Sequence, residues 1–226
     1  MKHLAFFIFI LFSSITAIGQ IDKFKNDQFN PALSTLLDSI HFKDQHLRLQ
    51  LDSFERIYNF QSPEMQSLYN KMAVEDSENL KTVKYILDNY GWLGANVVGK
   101  QGNNTIFLVI QHADQTTQEA YLPMMRESVK NGNAQKSALA LLEDRVNIGQ
   151  GKRQIYGSQV AMYFEDNKYY LRPLSDPDNV DKRRAEANLQ PLAAYLSRWG
   201  IVWNAEQYKK DLPIIEAKEK AKAANN

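Results

Sequence analysis

Apolar residues recur at helical spacing through most of the chain. Between residues 47 and 58 the hydrophobic positions are Leu47, Leu51, Phe54 and Tyr58. These intervals of four, three and four residues are typical of an amphipathic helix. Asn30-Pro31 and Ser62-Pro63 each place a capping residue before a proline, which favours a helix start at the proline. The first of these starts predicts a short helix over about 31–41.

The helix that begins near Ser62 is predicted to be interrupted. Its apolar face runs through Met65, Leu68, Tyr69 and Met72. The polar stretch 74–79 then predicts a break, after which a second helix runs to Gly91. Residues 92–104 contain three glycines and are predicted to form a loop, with Asn104 as the cap of the next helix.

The run Ile106–Ile110 consists of five apolar residues and is followed at once by Gln111, His112 and Asp114. A helix is the first interpretation of this run, and a strand is the alternative because β-branched residues favour strands. Either element would carry its polar end into or next to the core. A buried polar group without a partner costs about 1–3 kcal/mol, so these three side chains are expected to have partners.

The second half of the chain predicts further helices and one hairpin. Helices are expected over about 117–130 and 134–148, separated by a turn at 131–133. Short alternating aromatic runs at 160–164 and 169–174, around Asp166-Asn167, favour a β-hairpin. A last core helix is expected over about 179–199, and the tail after Pro213 is expected to be a frayed helix or disordered. The predicted fold is mainly α, a compact multi-helix domain with one small β-hairpin near residues 159–174.

The N-terminus predicts export. Lys2 and His3 precede an apolar run over residues 4–18, and small residues stand at 17 and 19, which is typical of a signal peptide cleaved before Gln20. A membrane anchor is the alternative, but the run is short for a span of about 20 residues. We therefore expect a periplasmic or secreted protein without a membrane span after cleavage. The predicted segments are a signal peptide (1–19), a lead-in with a short helix (20–40), one helical domain (41–200) and a polar tail (201–226).

Charge and cysteine content narrow the functional classes. Removing Lys2 with the signal peptide leaves 27 − 1 = 26 basic side chains against 26 acidic ones. A balanced chain gives no reason to expect binding to nucleic acid. The chain has no cysteine, which excludes disulfides, thiolate nucleophiles and cysteine-ligated zinc.

Two pairs of charged residues are candidates for a binding site. Asp44 and Arg48 are four residues apart, so on one helix they face each other. They form either an ordinary ion pair or the lining of a pocket. Asp144 and Arg145 lie within a predicted helix, where Arg145 follows the apolar Leu141 by four positions. Arg145 is expected to pair with a carboxylate, such as Asp44 or Asp114, or to hold the carboxylate or phosphate of a ligand bidentately.

His112 is the histidine embedded in a core-like stretch, and a neutral imidazole there could act as a general base. The alternative is a satisfied buried histidine at a helix end. Asp114 is two residues away and would not share a helix face with His112, whereas Gln111 and Asp114, three apart, would. No ligand spacing supports a metal site, so no metal or other cofactor is expected.

The segment Gln154–Gln159 contains Gly157, which can adopt backbone angles closed to other residues. Tyr156 and Gln159 could present polar tips to a cleft, or they could be turn residues before a strand. The chain contains no nucleophile elbow, P-loop, dinucleotide fingerprint or zinc-protease motif.

Several motifs together resemble the domain-of-unknown-function 6624 family. They are Asp44-Gln-His-Leu-Arg48, Gly91-Trp92, Val98-Gly99, Val109-Ile-Gln-His-Ala-Asp114, Leu142-Glu-Asp-Arg145, Gln154-Ile-Tyr-Gly-Ser-Gln159 and Pro173–Arg184. Leu93 stands where the family usually has proline, and Ser158 where it usually has threonine. The resemblance covers about residues 40–199 and implies that these polar positions belong together, but it supplies no activity.

Two hypotheses follow from the sequence. In the first, Asp44, Arg48, Gln111, His112, Asp114, Arg145, Tyr156 and Gln159 converge, with Asp144 beside them, on a pocket for a small polar or anionic ligand. If the protein is an enzyme, His112 is the expected general base, next to Asp114, in a hydrolytic or transfer reaction without a cofactor. In the second, the protein is a non-catalytic binding or interaction protein, and the same residues form a buried structural network.

Overall fold

The structure is a computed structural model that describes residues 28–58, 61–163 and 168–224. Contacts group the chain into two compact units, Met1–Ala113 and Asp114–Asn226. The predicted signal peptide and the tip of the predicted hairpin, with Asp166 and Asn167, lie outside the described residues. The segment boundaries inferred from the sequence stay predictions. Among the described residues, no helix has the length and apolar character needed to cross a bilayer.

All the secondary-structure elements that the structure describes in the N-terminal unit are helices. It contains α1 (Pro31–His46), a 3-10 helix (Arg48–Gln50), α2 (Leu51–Ile57), α3 (Pro63–Tyr90) and α4 (Ala95–His112). Both predicted caps are confirmed, because Asn30 Oδ1 accepts the Leu33 N–H and Ser62 Oγ accepts the Met65 N–H. Gly91, with φ 72°, ends α3 as expected.

Helices α1, α3 and α4 pack against one another. Leu33 and Leu37 of α1 are fully buried, as the inward face of an amphipathic helix should be. A Cβ added to Gly102 of α4 would lie 3.2 Å from Leu37 Cδ1, so glycine at this position allows α1 to approach α4 closely. This packing sets the end of α1 beside the end of α4.

Two predictions about this unit are wrong. The polar stretch 74–79 does not interrupt α3, which is continuous over its full length of 28 residues. The stretch lacks proline and glycine, and its polar side chains can extend into solvent while Asn79 turns inward. Residues 95–104 are helical rather than a loop, and the helix kinks at Gly99, whose φ is 74°. The helical interpretation of Ile106–Ile110 is confirmed, and the strand alternative is excluded.

The C-terminal unit contains α5 (Gln115–Lys130), α6 (Lys136–Gly149), β1 (Val160–Tyr163) and β2 (Lys168–Leu171), then a 3-10 helix (Pro177–Asn179), α7 (Val180–Glu186), α8 (Leu192–Leu196), a 3-10 helix (Ser197–Trp199) and α9 (Ala205–Ala224). The strands are antiparallel, with Val160 opposite Leu171. The predicted mainly α fold with one small hairpin is confirmed.

The structure corrects two further expectations here. The predicted helix 179–199 is divided, because Asn188 adopts a left-handed φ of 58° and Pro191 precedes α8. The residues after Pro213 are helical rather than disordered. They continue helix α9, which begins at Ala205 and buries Tyr208, Leu212 and Ile215 in a hydrophobic cluster with Leu174. The sequence pattern does not predict this burial, because α9 has few apolar positions among many lysines and glutamates.

Candidate functional site

Asp44 is the centre of a polar cluster in the N-terminal unit. It lies near the end of α1, and its side chain is only 1% exposed. Its Oδ1 lies 3.0 Å from Nδ1 of His112, the last residue of α4. Gln45 Nε2 donates to Oδ2 at 2.6 Å. The packing of α1 on α4 thus brings together two residues that are 68 positions apart.

Arg48 joins this cluster to a second carboxylate. One guanidinium nitrogen, Nη1, donates to the Asp44 main-chain oxygen at 2.5 Å and lies 3.4 Å from Asp44 Oδ1. The other, Nη2, donates to Asp76 Oδ2 at 2.7 Å. The predicted pairing of Asp44 with Arg48 is therefore confirmed, although Arg48 belongs to the 3-10 helix rather than to α1. Sequence reasoning missed Asp76, because it lies in the stretch that was expected to break α3.

The surroundings of Asp44 keep its carboxylate ionised. Burial alone would raise its pKa, but the hydrogen bond and charge of His112, helped by Arg48 and Gln45, hold the pKa of Asp44 below its ordinary value. An ionised carboxylate only accepts hydrogen bonds, so Nδ1 of His112 is the donor. In the neutral ring, Nε2 then carries the lone pair.

This arrangement can perform acid–base chemistry. A carboxylate that accepts the Nδ1 proton fixes the tautomer and orientation of an imidazole, and it stabilises the imidazolium that forms when Nε2 takes a proton. The His112 side chain is 17% exposed, so the ring is within reach of a small molecule. A groove of about 410 Å³ in the same unit is lined by residues that include Phe54, Tyr58 and Lys71, but not by His112.

Asp144 occupies a different kind of site in the C-terminal unit. It lies on α6 and is fully buried. Its carboxylate accepts backbone N–H groups from Ile155 at 2.6 Å, Tyr156 at 2.9 Å and Ser158 at 2.9 Å. Burial outweighs these bonds and raises the pKa of Asp144. The side chain holds the segment before β1 in place.

Arg184 completes this structural arrangement. It is 1% exposed and donates to the main-chain oxygens of Tyr156 and Gln190, both at 2.7 Å. Its guanidinium also lies over the Tyr195 ring, 4.8 Å from the centroid. The peptide units around Tyr156 are thus fixed from both sides, with the Tyr156 N–H bonded to Asp144 and its carbonyl bonded to Arg184. Arg184 was part of a recognised motif but was not predicted as an interior residue.

The remaining predicted residues of this unit lie around the same segment. Gln159 donates its N–H to Gln154 Oε1 at 2.8 Å, and its Nε2 donates to Ser158 Oγ at 3.0 Å. The Tyr156 hydroxyl is 3.5 Å from Glu143 Oε2. The charge of Arg145 acts on the Tyr195 hydroxyl. Ligand binding by Asp144, Arg145, Tyr156 and Gln159 stays a prediction.

Gln111 and Asp114, which follow the apolar run 106–110, do not lie on one helix as the sequence predicts. Helix α4 ends at His112, and Asp114 is the N-cap of α5, where its Oδ1 accepts the Thr117 N–H at 2.7 Å. No single helix face therefore carries Gln111 and Asp114, and their predicted pairing on such a face is wrong. Asp114 has a capping role that the sequence pattern did not reveal, because the helix end could not be located from it.

The predicted residues thus fall into sets in two units. Asp44, Arg48 and His112 meet in the N-terminal unit. In the C-terminal unit, Asp144 binds the backbone of Tyr156 and Ser158, and Gln159 binds the Ser158 hydroxyl. Convergence of all of them on one pocket stays a prediction. The positive φ of Gly157, 72°, is confirmed, and a Cβ there would lie 2.9 Å from Leu192 Cδ1.

Comparison with known proteins identifies the family. No curated protein and no solved structure gives a significant match to the chain. Residues 31–203 match the sequence profile described as "Family of unknown function (DUF6624)". That span includes both polar clusters and most of the chain. The protein therefore belongs to the DUF6624 family of unknown function.

Proposed function

We propose that the N-terminal unit carries an acid–base site for a small polar or anionic ligand, with His112 as general base and Asp44 as its orienting carboxylate. One observation carries the proposal. A buried, ionised carboxylate lies 3.0 Å from one ring nitrogen of a partly exposed histidine. That arrangement leaves the other ring nitrogen, Nε2, as the basic atom.

The low pKa of Asp44 supports the division of roles. A carboxylate that stays ionised near neutral pH does not compete with His112 Nε2 for the proton of a substrate, and its negative charge stabilises the imidazolium once that proton has moved. A proton transfer of this kind typically contributes a factor of about 10²–10⁴ to a rate. The supported reaction class is a hydrolytic or transfer reaction that needs no cofactor.

Arg48 is the residue that would bind an anionic group of the ligand. Its guanidinium has a planar set of donors suited to carboxylate or phosphate. The Arg48–Asp76 pair is partly exposed, with side-chain exposures of 17% and 25%. An anionic group of the ligand would have to displace Asp76 from this guanidinium or share its donors.

The proposed place of action is outside the cytoplasm. The support is the N-terminal sequence, which has the order of charge, apolar run and small residues found in cleaved signal peptides. Mass measurement of the protein recovered from its native host tests this proposal. We expect a mature chain that begins at Gln20, and recovery of the intact chain in the cytoplasmic fraction would contradict it.

A structural role is the second candidate, and a specific contact favours it. Arg48 already has carboxylate partners in Asp44 and Asp76, as it would in a network that only holds α1, α3 and α4 together. In that case the protein would be a binding or interaction protein, and the Asp44 cluster would not contact a ligand.

The test is a thermal-shift screen of the mature chain against small phosphates, carboxylates, amides and esters. His112→Asn keeps a donor near the position of Nδ1 but removes the basic nitrogen. His46→Asn is the matched control. The Nδ1 of His46 lies 3.0 Å from the main-chain oxygens of Phe42 and Lys43, and its ring stacks on Phe42, so these contacts are outside the Asp44 cluster. We expect turnover of a stabilising compound to be lost in the first variant and kept in the second. Equal turnover in both variants would contradict the acid–base proposal.

A further inference from the structure

We infer that the N-terminal unit binds one divalent first-row transition-metal ion through Asp44, Asp76 and His112, with Arg48 as the competing cation. Each of the three residues offers one ligand atom, and these atoms lie within 4.8 Å of one another. The residues come from three helices, α1, α3 and α4. Facing helices commonly build metal sites in this way. The inference does not rest on catalysis by His112.

The spacing of two of these atoms fits a shared ion. Metal bonds to imidazole nitrogen and carboxylate oxygen are about 2.0–2.2 Å long, so two ligand atoms at a right angle around one ion are about 3.0 Å apart. His112 Nδ1 and Asp44 Oδ1 are separated by 3.0 Å. A hydrogen bond and joint ligation of an ion therefore place these two atoms at the same distance. Ligation requires the proton of Nδ1 to move to Nε2, because a metal binds a ring nitrogen through its lone pair. The metal-bound state and the general-base state of His112 are therefore alternatives.

A buried oxygen on α3 provides further support. Asp76 Oδ1 is buried and has no hydrogen-bond partner among the described residues, although Oδ2 of the same carboxylate binds Arg48. A buried polar atom without a partner is unfavourable. An ion held between Asp44, Asp76 and His112 would satisfy Asp76 Oδ1.

The charges explain why Arg48 is a competitor rather than a ligand. Two carboxylates carry two negative charges, and Arg48 compensates one of them through contacts of 2.7 Å to Asp76 and 3.4 Å to Asp44. A divalent ion would compensate both charges. Removing the guanidinium should therefore increase the affinity for the ion.

The donor set selects the class of metal. An imidazole nitrogen suits zinc, iron, nickel and copper, whereas carboxylate oxygens also suit Mn²⁺. The hard ions Mg²⁺ and Ca²⁺ take oxygen ligands and gain little from the imidazole. Two carboxylates beside one imidazole are compatible with Mn²⁺ and Zn²⁺. We therefore expect both to bind more tightly than Mg²⁺.

The experiment is a titration of the chelator-treated mature chain with Mn²⁺, in which the electron paramagnetic resonance signal reports free ion. Thermal shifts with Zn²⁺ and Mg²⁺ accompany it. We expect one saturable Mn²⁺ site, at least tenfold weaker binding in Asp76→Asn, and severalfold tighter binding in Arg48→Met. Glu78→Gln removes an exposed carboxylate from the same helix and should leave binding unchanged. Arg48→Gln replaces Arg48→Met if circular dichroism shows that the latter is unfolded.

Absence of a saturable Mn²⁺ site in the wild-type chain would overturn the inference. So would binding that Asp76→Asn leaves unchanged, because the ion would then lie elsewhere. The ligand screen for the acid–base proposal is run with chelator present and reads His112-dependent turnover. The metal titration reads only ion binding, so either proposal can fail without the other.

Discussion

The two units each contain a buried aspartate at the centre of a hydrogen-bond cluster, yet the clusters differ in kind. Asp44 contacts the side chains of His112, Arg48 and Gln45, and its pKa is lowered. Asp144 contacts backbone N–H groups, and its pKa is raised. Charged side chains can change protonation and partners, whereas backbone amides cannot. The contrast therefore supports the proposal that the N-terminal cluster performs chemistry, whereas the C-terminal cluster anchors the segment before β1.

The largest expected effect is loss of the Asp144 carboxylate. Asp144→Ala should lower the free energy of unfolding by roughly 3–5 kcal/mol, because three backbone N–H groups and the buried Arg184 lose a negatively charged neighbour. Urea denaturation measures the change. Asp144→Asn, which retains one acceptor oxygen, should lose less. If Asp144→Ala lowers the free energy of unfolding by less than about 1 kcal/mol, the Asp144 cluster does not anchor the fold and the contrast between the two clusters is wrong.

Removal of Arg184 should be the next largest effect. Arg184→Met leaves the carbonyls of Tyr156 and Gln190 without their donor and takes the positive charge away from Asp144. We expect a loss of roughly 2–4 kcal/mol in the same assay. Arg198→Met is a suitable control, because Arg198 is exposed and also lies over the Tyr195 ring. Equal losses in both variants would show that the aromatic contact, rather than the Tyr156 carbonyl, explains the effect.

The two aspartates should also give opposite dependence of stability on pH. The folded pKa of Asp44 lies below its ordinary value of 3.8. Its contribution is therefore complete above that value and is lost as the pH falls through the folded pKa. The folded pKa of Asp144 lies above 3.8. The part of its contribution that depends on protonation is complete below 3.8 and is lost as the pH rises through the folded pKa.

Unfolding free energies measured between pH 3 and pH 7 test these signs. Relative to the wild type, Asp44→Asn should lose less stability on acidification, and Asp144→Asn should lose more. A shift of the same sign in both variants would refute the electrostatic contrast.

The smallest effect concerns the anchoring of α9. Glu219 accepts from the Tyr170 hydroxyl at 2.7 Å and pairs with Arg172. Glu219→Gln keeps one acceptor oxygen but loses the bidentate charge pair with Arg172, so it should cost roughly 1–2 kcal/mol. Thermal unfolding, with Glu206→Gln as an exposed control on the same helix, measures it. A larger loss would indicate that ion pairing, rather than burial of Tyr208 and Leu212, secures the C-terminal helix.

Local patterns predicted the fold class and several helix ends because their causes are local. A capping side chain such as Asn30 or Ser62 acts within three residues, and Gly91 ends a helix through its own backbone conformation. The polar pattern at 74–79 predicts a break, which is wrong because the helix is continuous there. Only tertiary packing decides that Asp76 turns toward Arg48 and Asn79 toward the interior.

The candidate site was predictable only in part. The resemblance singled out Asp44, Arg48 and His112, and the structure brings these three together. Asp76 lies in a stretch without a distinctive motif and reaches Arg48 across 28 residues, so no local signal indicated it. The assignment of Asp144 to loop anchoring depends on backbone N–H directions around Tyr156, which a sequence pattern does not contain.

The most direct test of the contrast compares His112→Asn with Asp144→Ala for unfolding free energy and for stabilisation by a compound from the ligand screen. We predict that His112→Asn stays within about 1 kcal/mol of the wild type, because a donor to Asp44 remains, and that it loses ligand turnover. Asp144→Ala should lose several times that stability. If His112→Asn is destabilised as strongly as Asp144→Ala and still turns over the ligand, both clusters are structural and the account is wrong.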